Sequence, residues 1–166
     1  MAMIDGMLEE LEQEAQTTRR VLERVPDEQL AWRPHPKART LGELAMHVAV
    51  VPGAVAEMIA SPSPAQVPQF TDPVLQSASE LVPTLEQSIA KAKAALSGMD
   101  DSQAMETWRM VQGERELFAL PRASLLRSIM LNHWYHHRGQ LSVYLRELNV
   151  AIPSIYGPSA DENPFA

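Results

Sequence analysis

Three of the five histidines of the chain lie close together, and two of them have the spacing of metal ligands. His133 and His137 are four residues apart, so on a helix they lie on one face and both imidazoles can reach a common point. Helical zinc motifs use the same spacing. Burying two imidazoles is costly unless they bind a metal or form hydrogen bonds. The alternative is therefore a polar core pair, bonded to each other, to Asn132 or to the backbone.

A third ligand has to come from another helix, and His47 is the best-placed residue. It lies three residues after Leu44 and four before Val51, within an apolar stripe, so its side chain should point inward. Considered alone, His47 is more simply explained as a hydrogen-bonded core histidine. The carboxylate of Glu43 could accept a hydrogen bond from the ring of His47 and so orient it toward a metal. Its position three residues after Thr40 fits a helix capping box better.

The other two histidines are weaker candidates. His136 is three residues from His133, but it points about 100° away from His137, so all three cannot face one ion. We place His136 on the flank of the site. His35 lies in a proline-rich loop and is expected to be exposed. The candidate metal ligands are therefore His47, His133 and His137.

A site of this kind has a definable chemistry. Three neutral imidazoles leave a divalent ion its full charge and an open coordination position, which is typical of catalytic rather than structural zinc. Such an ion could lower the pKa of a bound water to about 7. It could equally bind the thiol of a substrate as thiolate. Nickel and iron also accept imidazole ligands, so the residues do not select the metal.

Four segments with helical periodicity must position these histidines, and the prolines cluster between them. The segments run from about Ile4 to Arg24, from Thr40 through Met58, from Pro73 or Pro83 to Leu96, and from Pro121 to about Leu148. Almost no segment alternates with period two, so we predict an all-α fold, a four-helix bundle with long connections. Residues 99–120 are expected to form a short hairpin or an ordered loop.

On the fourth helix, one inward stripe is predicted to include both candidate ligands. Its members recur at spacings of three and four residues. They are Leu126, Met130, His133, His137, Leu141, Tyr144 and Leu148.

Composition limits the classes of function. At 166 residues the chain is most simply one domain, 1–166. With 14 basic and 21 acidic residues its formal charge is −7, which argues against binding nucleic acid or an anionic membrane. It has no cysteine, so it has no thiolate ligand or Cys nucleophile.

The sequence also bears on the location of the protein. No run reaches the ~18 apolar residues of a membrane span, and the N-terminus is acidic where a signal peptide is basic. We therefore expect a cytoplasmic protein.

Several segments together resemble the DinB/YfiT-like family, over essentially the whole chain. The similar segments are Leu30–Pro36, Thr40–His47, Asn132–Leu141 and the tail Val150–Glu162. The element with two histidines followed by Arg-Gly-Gln-Leu is the most specific. The resemblance implies an up-up-down-down bundle, commonly a homodimer. It also implies a divalent metal, usually zinc or nickel, on three histidines that match His47, His133 and His137.

The resemblance implies a reaction less clearly than a site. Characterised relatives include S-transferases that use bacillithiol or related low-molecular-weight thiols, and a mycothiol-dependent maleylpyruvate isomerase. The first hypothesis is a metal-dependent transferase whose partners are a small thiol and an electrophile. Trp134, Tyr144, Arg109 and Tyr156 could orient the substrate. Simpler roles for them are packing for Trp134 and Tyr144, a surface charge for Arg109 and an anchor of the tail for Tyr156.

Two alternatives stay open. One is a metal-dependent hydrolase, although no carboxylate stands out by its spacing as a general base. The other is a non-catalytic stress-response protein that binds a metal or a small molecule. In that case the proline-rich segment from Ser61 to Pro73 could be an interaction surface rather than a helix connection.

Overall fold

Helices supply most of the regular structure in residues 3–69 and 71–165, the part of the chain that the computed structural model describes. The α-helices are α1 (Met3–Leu22), α2 (Leu41–Ala60), α3 (Leu81–Leu96), α4 (Asp101–Met105), α5 (Arg122–Leu125) and α6 (His133–Glu147). A π-helical segment, Leu126–Asn132, joins α5 to α6. Short 3₁₀ turns at Asp27–Gln29 and Ala78–Glu80 precede α2 and α3.

Local capping explains where two of the long helices begin. Thr40 Oγ1 accepts a hydrogen bond from the Glu43 amide at 3.1 Å, and the Glu43 carboxylate accepts one from the Thr40 amide at 2.6 Å. The predicted capping box is therefore correct, and Glu43 caps α2 instead of supporting His47. Helix α3 begins at Leu81, near the later of the two predicted starts, because Ser77 caps a separate 3₁₀ turn just before it.

The four long helices form the core around α2. This helix packs against α3 and α6, and α1 also packs against both. The backbones of α2 and α3 approach closely at Gly53, where an added Cβ would lie 2.7 Å from the Ser88 carbonyl oxygen. By length and composition alone α2 could cross a membrane, but 61% of its most apolar window is buried inside the protein. A core helix accounts for that composition.

A small sheet corrects the prediction of a purely all-α fold. Strands β2 (Thr107–Gln112) and β3 (Arg115–Pro121) form an antiparallel hairpin, one of the two structures expected for this segment. Strand β1 (Ala65–Gln66) pairs in parallel with β2 and was not predicted. The fold is therefore mostly helical with a three-stranded sheet. Burial in β2 alternates around Trp108 and Met110, whereas β1 is too short for any periodicity to be visible.

The buried face of the last helix also differs from the prediction. Before the π-helical segment ends, Leu126 and Met130 are buried as expected. Beyond it Leu141 is buried as predicted, whereas Trp134, Arg138 and Leu145 are buried one position later than the predicted stripe. A π-helix closes its hydrogen bonds five residues apart instead of four, so it inserts one extra residue into the helix. The insertion moves His133 and His137 out of the core, to its edge.

Candidate metal centre

The rings of three histidines meet between α2 and α6. His47 comes from the second turn of α2, and His133 and His137 come from the start of α6. Ring centroids are 5.3 Å apart for His47 and His133, and 4.5 Å for each of the other two pairs. One nitrogen from each ring lies within 4.8 Å of the others. All three rings are partly buried, so they meet at the boundary of the core.

A proline within α2 frees a backbone carbonyl that accepts a hydrogen bond from α6 beside these rings. In a regular helix the Val48 carbonyl would accept from the amide of residue 52, but Pro52 has no N–H group. The indole N–H of Trp134 donates to the Val48 carbonyl instead, at 2.8 Å. Val48 and Trp134 directly follow His47 and His133 in the chain. This bond therefore sets the relative position of the two ligand-bearing backbones.

The Nδ1 atom of each ring faces a hydrogen-bond acceptor. His47 Nδ1 lies 2.8 Å from a carboxylate oxygen of Asp72. His133 Nδ1 lies 3.2 Å from the Ile129 carbonyl oxygen, and His137 Nδ1 lies 2.8 Å from the side-chain oxygen of Gln140. Because these partners accept, each neutral ring carries its proton on Nδ1 and leaves a lone pair on Nε2. Metal-binding histidines are held in the same way.

The three Nε2 lone pairs converge without a donor among the described residues. His133 Nε2 and His137 Nε2 are 2.8 Å apart, and with both protons on Nδ1 neither can donate to the other. His47 Nε2 is buried and has no hydrogen-bond partner in the described part of the chain. A buried acceptor without a partner costs free energy. A cation bound by the three lone pairs removes that cost, so these residues fit a divalent metal.

The π-helical segment makes the partner of His133 available. In an α-helix the Ile129 carbonyl would accept from the backbone amide of His133. Here that amide donates to the carbonyl oxygens of Ser128 and Met130 instead. The Ile129 carbonyl is therefore free of that bond and accepts from the ring of His133. The segment thus both turns the histidines to the edge of the core and orients one of them.

Burial keeps the two histidines of α6 neutral. It lowers the pKa of His133, and the nearby His47 lowers it further. Burial likewise lowers the pKa of His137 to about 4, although its hydrogen bond to Gln140 opposes the shift. Neutral imidazole is the form that binds metals. These two rings are therefore ready to bind an ion at neutral pH.

Asp72 carries the fixed negative charge of the site. One of its oxygens accepts from His47 Nδ1 and from Arg39 Nη1, each at 2.8 Å. Burial alone would raise the pKa of Asp72, but the hydrogen bonds and charges of His47 and Arg39 hold the pKa below its usual value. Asp72 is therefore an anion that orients His47 and increases its basicity.

A cavity of about 410 Å³ opens beside the three histidines. Most of its wall is apolar, and its polar groups are the three rings, Arg39 and Asp72. The apolar lining consists of Val50, Val51, Ala54, Val55, Met58, Met110, Phe118 and Ile129. A larger cavity of about 620 Å³ shares Arg39 and Asp72 with it but contains none of the three histidines. The smaller cavity is therefore the one that can hold a ligand of a metal at this site.

The remaining residues singled out from the sequence have other roles. His136 is exposed on the flank, with its ring 5.0 Å from that of His137, and His35 is exposed in its loop.

The four residues considered for orienting a substrate also have structural roles. Arg109 forms a surface ion pair with Glu116. Trp134 is fully buried. Tyr144 packs edge-on against Trp32, and Tyr156 joins the tail to Arg138. The simpler roles fit each of them.

Sequence reasoning missed Asp72 and Gln140. Asp72 lies 25 residues after His47 in an irregular connection, so no periodicity relates the two. The length of that connection was the one available signal. Gln140 is three residues after His137 on the same helix. Helical spacing alone could have identified it.

Replacing Asp72 by alanine should weaken metal binding by about 10–100-fold, because His47 loses the carboxylate that orients it. Asp72→Asn should lose less metal affinity, since the amide oxygen of its side chain can still accept a hydrogen bond from His47 Nδ1. Affinity is measured by competition with a coloured chelator. Glu43→Ala is the control, because this nearby carboxylate caps α2 and has no hydrogen bond to His47. Equal losses in Asp72→Ala and Glu43→Ala would contradict the role given to Asp72.

The metal-free protein should lose stability as the pH falls from about 6.5 to about 4. Unfolding returns the pKa of His137 from about 4 to its ordinary 6.5, so in this window the unfolded chain binds more protons and acid favours it. The lowered pKa of His133 acts in the same direction. Urea unfolding with a chelator present, measured at several pH values, tests this. A double variant with alanine at both positions should show a shallower pH dependence; an identical slope would contradict the prediction.

The helical fold and the converging histidines define a class: a helical protein with a candidate three-histidine metal centre. Residues 2–164 match the DinB family, and the chain belongs to that family. The protein is 29% identical over 160 residues to the uncharacterized protein YrdA of Bacillus subtilis, covering 96% of this chain and 91% of that one. The resemblance noted from the sequence is therefore confirmed.

Solved structures support the same fold. A DinB-like protein of Bacillus cereus superposes with a TM-score of 0.70 at 24% identity, covering 92% of this chain and 97% of that one. The DinB-like protein YjoA of Bacillus subtilis gives a TM-score of 0.65 at 20% identity, covering 95% and 99%. At these identities the likeness concerns the fold.

Proposed function

We propose that the protein binds one divalent metal ion, zinc or nickel, through His47, His133 and His137, and uses it as a transferase for a low-molecular-weight thiol. The observation that carries this proposal is that three Nε2 lone pairs converge beside a cavity and that no described residue donates a hydrogen bond to them. When bound, such an ion supplies Lewis acidity that favours the thiolate form of a coordinated thiol.

The proposed reaction is a nucleophilic substitution or addition at carbon. With a chlorinated acceptor, the thiol sulfur forms a bond to carbon, chloride leaves with the electron pair of the broken bond, and the thiol proton passes to solvent. With an epoxide, the carbon–oxygen bond opens and its oxygen takes up a proton. The chain has no cysteine, so the thiol has to come from outside the chain, which agrees with a small-molecule thiol.

The residues of the cavity favour this reaction over hydrolysis. A hydrolase needs a base, or a metal that replaces it, to activate water. Among the described residues that line the cavity, Asp72 is the carboxylate, and its hydrogen bonds already hold Arg39 and His47. The described part of the cavity wall contains no second carboxylate that could accept a proton from water. The binding-protein alternative predicts tight metal binding and no turnover.

We also propose the finer features that accompany this assignment. They are a single domain over 1–166, an up-up-down-down arrangement of the four long helices, a homodimer and a cytoplasmic location. The acidic charge of −7 supports a small-molecule partner over nucleic acid or an anionic membrane.

A screen of thiols against chlorinated and epoxide acceptors tests the proposal. The metal-loaded protein should consume the thiol and the acceptor in equal amounts, and His137→Ala should lose this activity. His136→Ala, which alters an exposed neighbouring histidine, should retain it. Metal-loaded protein that turns over no thiol in the panel would refute the transferase assignment. Hydrolysis without a thiol, with a base of pKa about 7 in its pH profile, would support the hydrolase.

A further inference from the structure

One face of α2 connects the histidines to the far end of the cavity. His47, Val50, Val51, Ala54, Val55 and Met58 recur at spacings of three and four residues, and all line the cavity. This stripe covers about three helical turns, or about 16 Å along the axis. The cavity is therefore elongated, with the metal-binding groups toward one end of the stripe.

The polar groups of the cavity are confined to the histidine end. Asp72 is bonded to His47, and Arg39 is bonded to Asp72, so both lie beside the rings. Beyond them the stripe of α2 has only aliphatic side chains. Met110 and Phe118 of the hairpin and Ile129 of the π-helical segment complete the wall. Apart from the histidine end, none of the described residues of the cavity wall has a side chain that could hydrogen-bond to a sugar or a peptide.

We propose that the substrate bound in this cavity has an elongated apolar body, aliphatic or aromatic, which lies along α2 with its reactive group at the three histidines. This inference rests on the proposed function and names the substrate class of the same site. It distinguishes an apolar substrate from a polar one such as a sugar or an amino acid.

The size and chemistry of the cavity agree with such a ligand. An apolar cavity of about 150 Å³ is enough to bind benzene, and this one measures about 410 Å³. Ligand pockets of proteins commonly begin at about 300 Å³. Burying one methylene group contributes about 0.8 kcal/mol, which corresponds to about a fourfold change in affinity. Affinity should therefore rise with the length of an alkyl chain in the cavity.

A series of 1-alkanethiols tests the proposal by binding alone. The protein is loaded with cobalt or nickel, and ethanethiol through hexanethiol are titrated while the charge-transfer absorption of metal and thiolate is recorded. Affinity should increase about three- to fourfold per methylene group. Thiols of the same length with a terminal hydroxyl group should lose most of this gain. An affinity that does not change with chain length, with normal metal content and ethanethiol binding, would overturn the inference and leave the proposed function standing.

Variants locate the binding of the alkyl chain. Ala54→Phe fills the middle of the cavity from a partly buried position and should remove the gain of the longer thiols while metal content and ethanethiol binding persist. Ala54→Leu is a milder version. Ala90→Phe, at an exposed position of α3, is the matched control and should behave as wild type. Equal chain-length gains in wild type and in folded Ala54→Phe would place the chain elsewhere and overturn the inference.

A second ligand series separates this inference from the metal chemistry. Straight-chain alcohols from ethanol to hexanol are titrated into the metal-free protein by calorimetry. Rising affinity with chain length, together with no thiol binding by the metal-loaded protein, would support the apolar cavity and refute the proposed transferase. Failure of both series would overturn the inference.

Discussion

The His133→Ala variant should lose nearly all bound metal, falling from about one ion per chain to less than about a tenth of that. His133 shares the site with His137 through Nε2 atoms 2.8 Å apart, and its other nitrogen is held by the Ile129 carbonyl. Its removal leaves two imidazoles on different helices. Metal content is measured by mass spectrometry on untagged protein, because a histidine tag would itself bind the ion.

The chain offers a matched control for this experiment. His136 is also a histidine of α6, but it is exposed and its ring only flanks that of His137. His136→Ala should therefore keep the full metal content. If both variants lost the ion equally, or if the parent protein failed to take up added zinc or nickel, the three rings would be a polar cluster without a metal. The transferase and hydrolase hypotheses would then both be wrong.

Arg138→Ala should lower the free energy of unfolding by about 3–5 kcal/mol, the largest stability effect expected from a single charged side chain here. Arg138 is 1% exposed. Its Nη1 atom lies 2.6 Å from the Glu14 carboxylate and 3.0 Å from Thr18 Oγ1, and Nη2 donates to the Tyr156 hydroxyl at 2.6 Å. Removing the guanidinium leaves the largely buried Glu14 without its cation. The midpoint of thermal unfolding should fall by roughly 10 °C.

Arg127→Ala is the control for Arg138→Ala. Arg127 also pairs with a glutamate of α1, Glu10, but its side chain is 44% exposed. An exposed ion pair of this kind contributes about 0–1 kcal/mol. Urea unfolding of the two variants compares a buried and an exposed arginine that both bind α1. If both variants lost similar free energies of unfolding, the burial of Arg138 would not be the cause of the loss in Arg138→Ala. Arg138→Ala/Glu14→Gln should recover part of the loss, because it removes the unpaired charge.

Short-range regularities made much of the helical architecture predictable. The capping box at Thr40 and the periodicity of α1, α2 and α3 are local properties, so four long helices and their approximate limits follow from the sequence. The proximity of His133 and His137 follows from helical spacing. The third ring, His47, was expected inward from its place in an apolar stripe. That these rings bind a metal stays a prediction.

The remaining features depend on contacts that local patterns do not contain. Asp72 reaches His47 from an irregular connection, and β1 is a strand only because it pairs with β2. The π-helical segment shifts the face of the last helix by one residue, which a calculation with a constant period of 3.6 cannot show. For this reason the predicted stripe placed the histidines in the core, and Arg138 was not recognised as a buried residue.

The extra residue in the π-helical segment also constrains how this protein could change by mutation. Because this segment accommodates one extra residue, deleting a residue between Leu126 and Asn132 would restore a uniform α-helix and leave the later residues facing the same way as before. A single-residue deletion within α6 would instead rotate every later residue by about 100° and turn the buried side chains away from the core. Single-residue deletions should therefore leave the protein folded far more often in the π-helical segment than in α6.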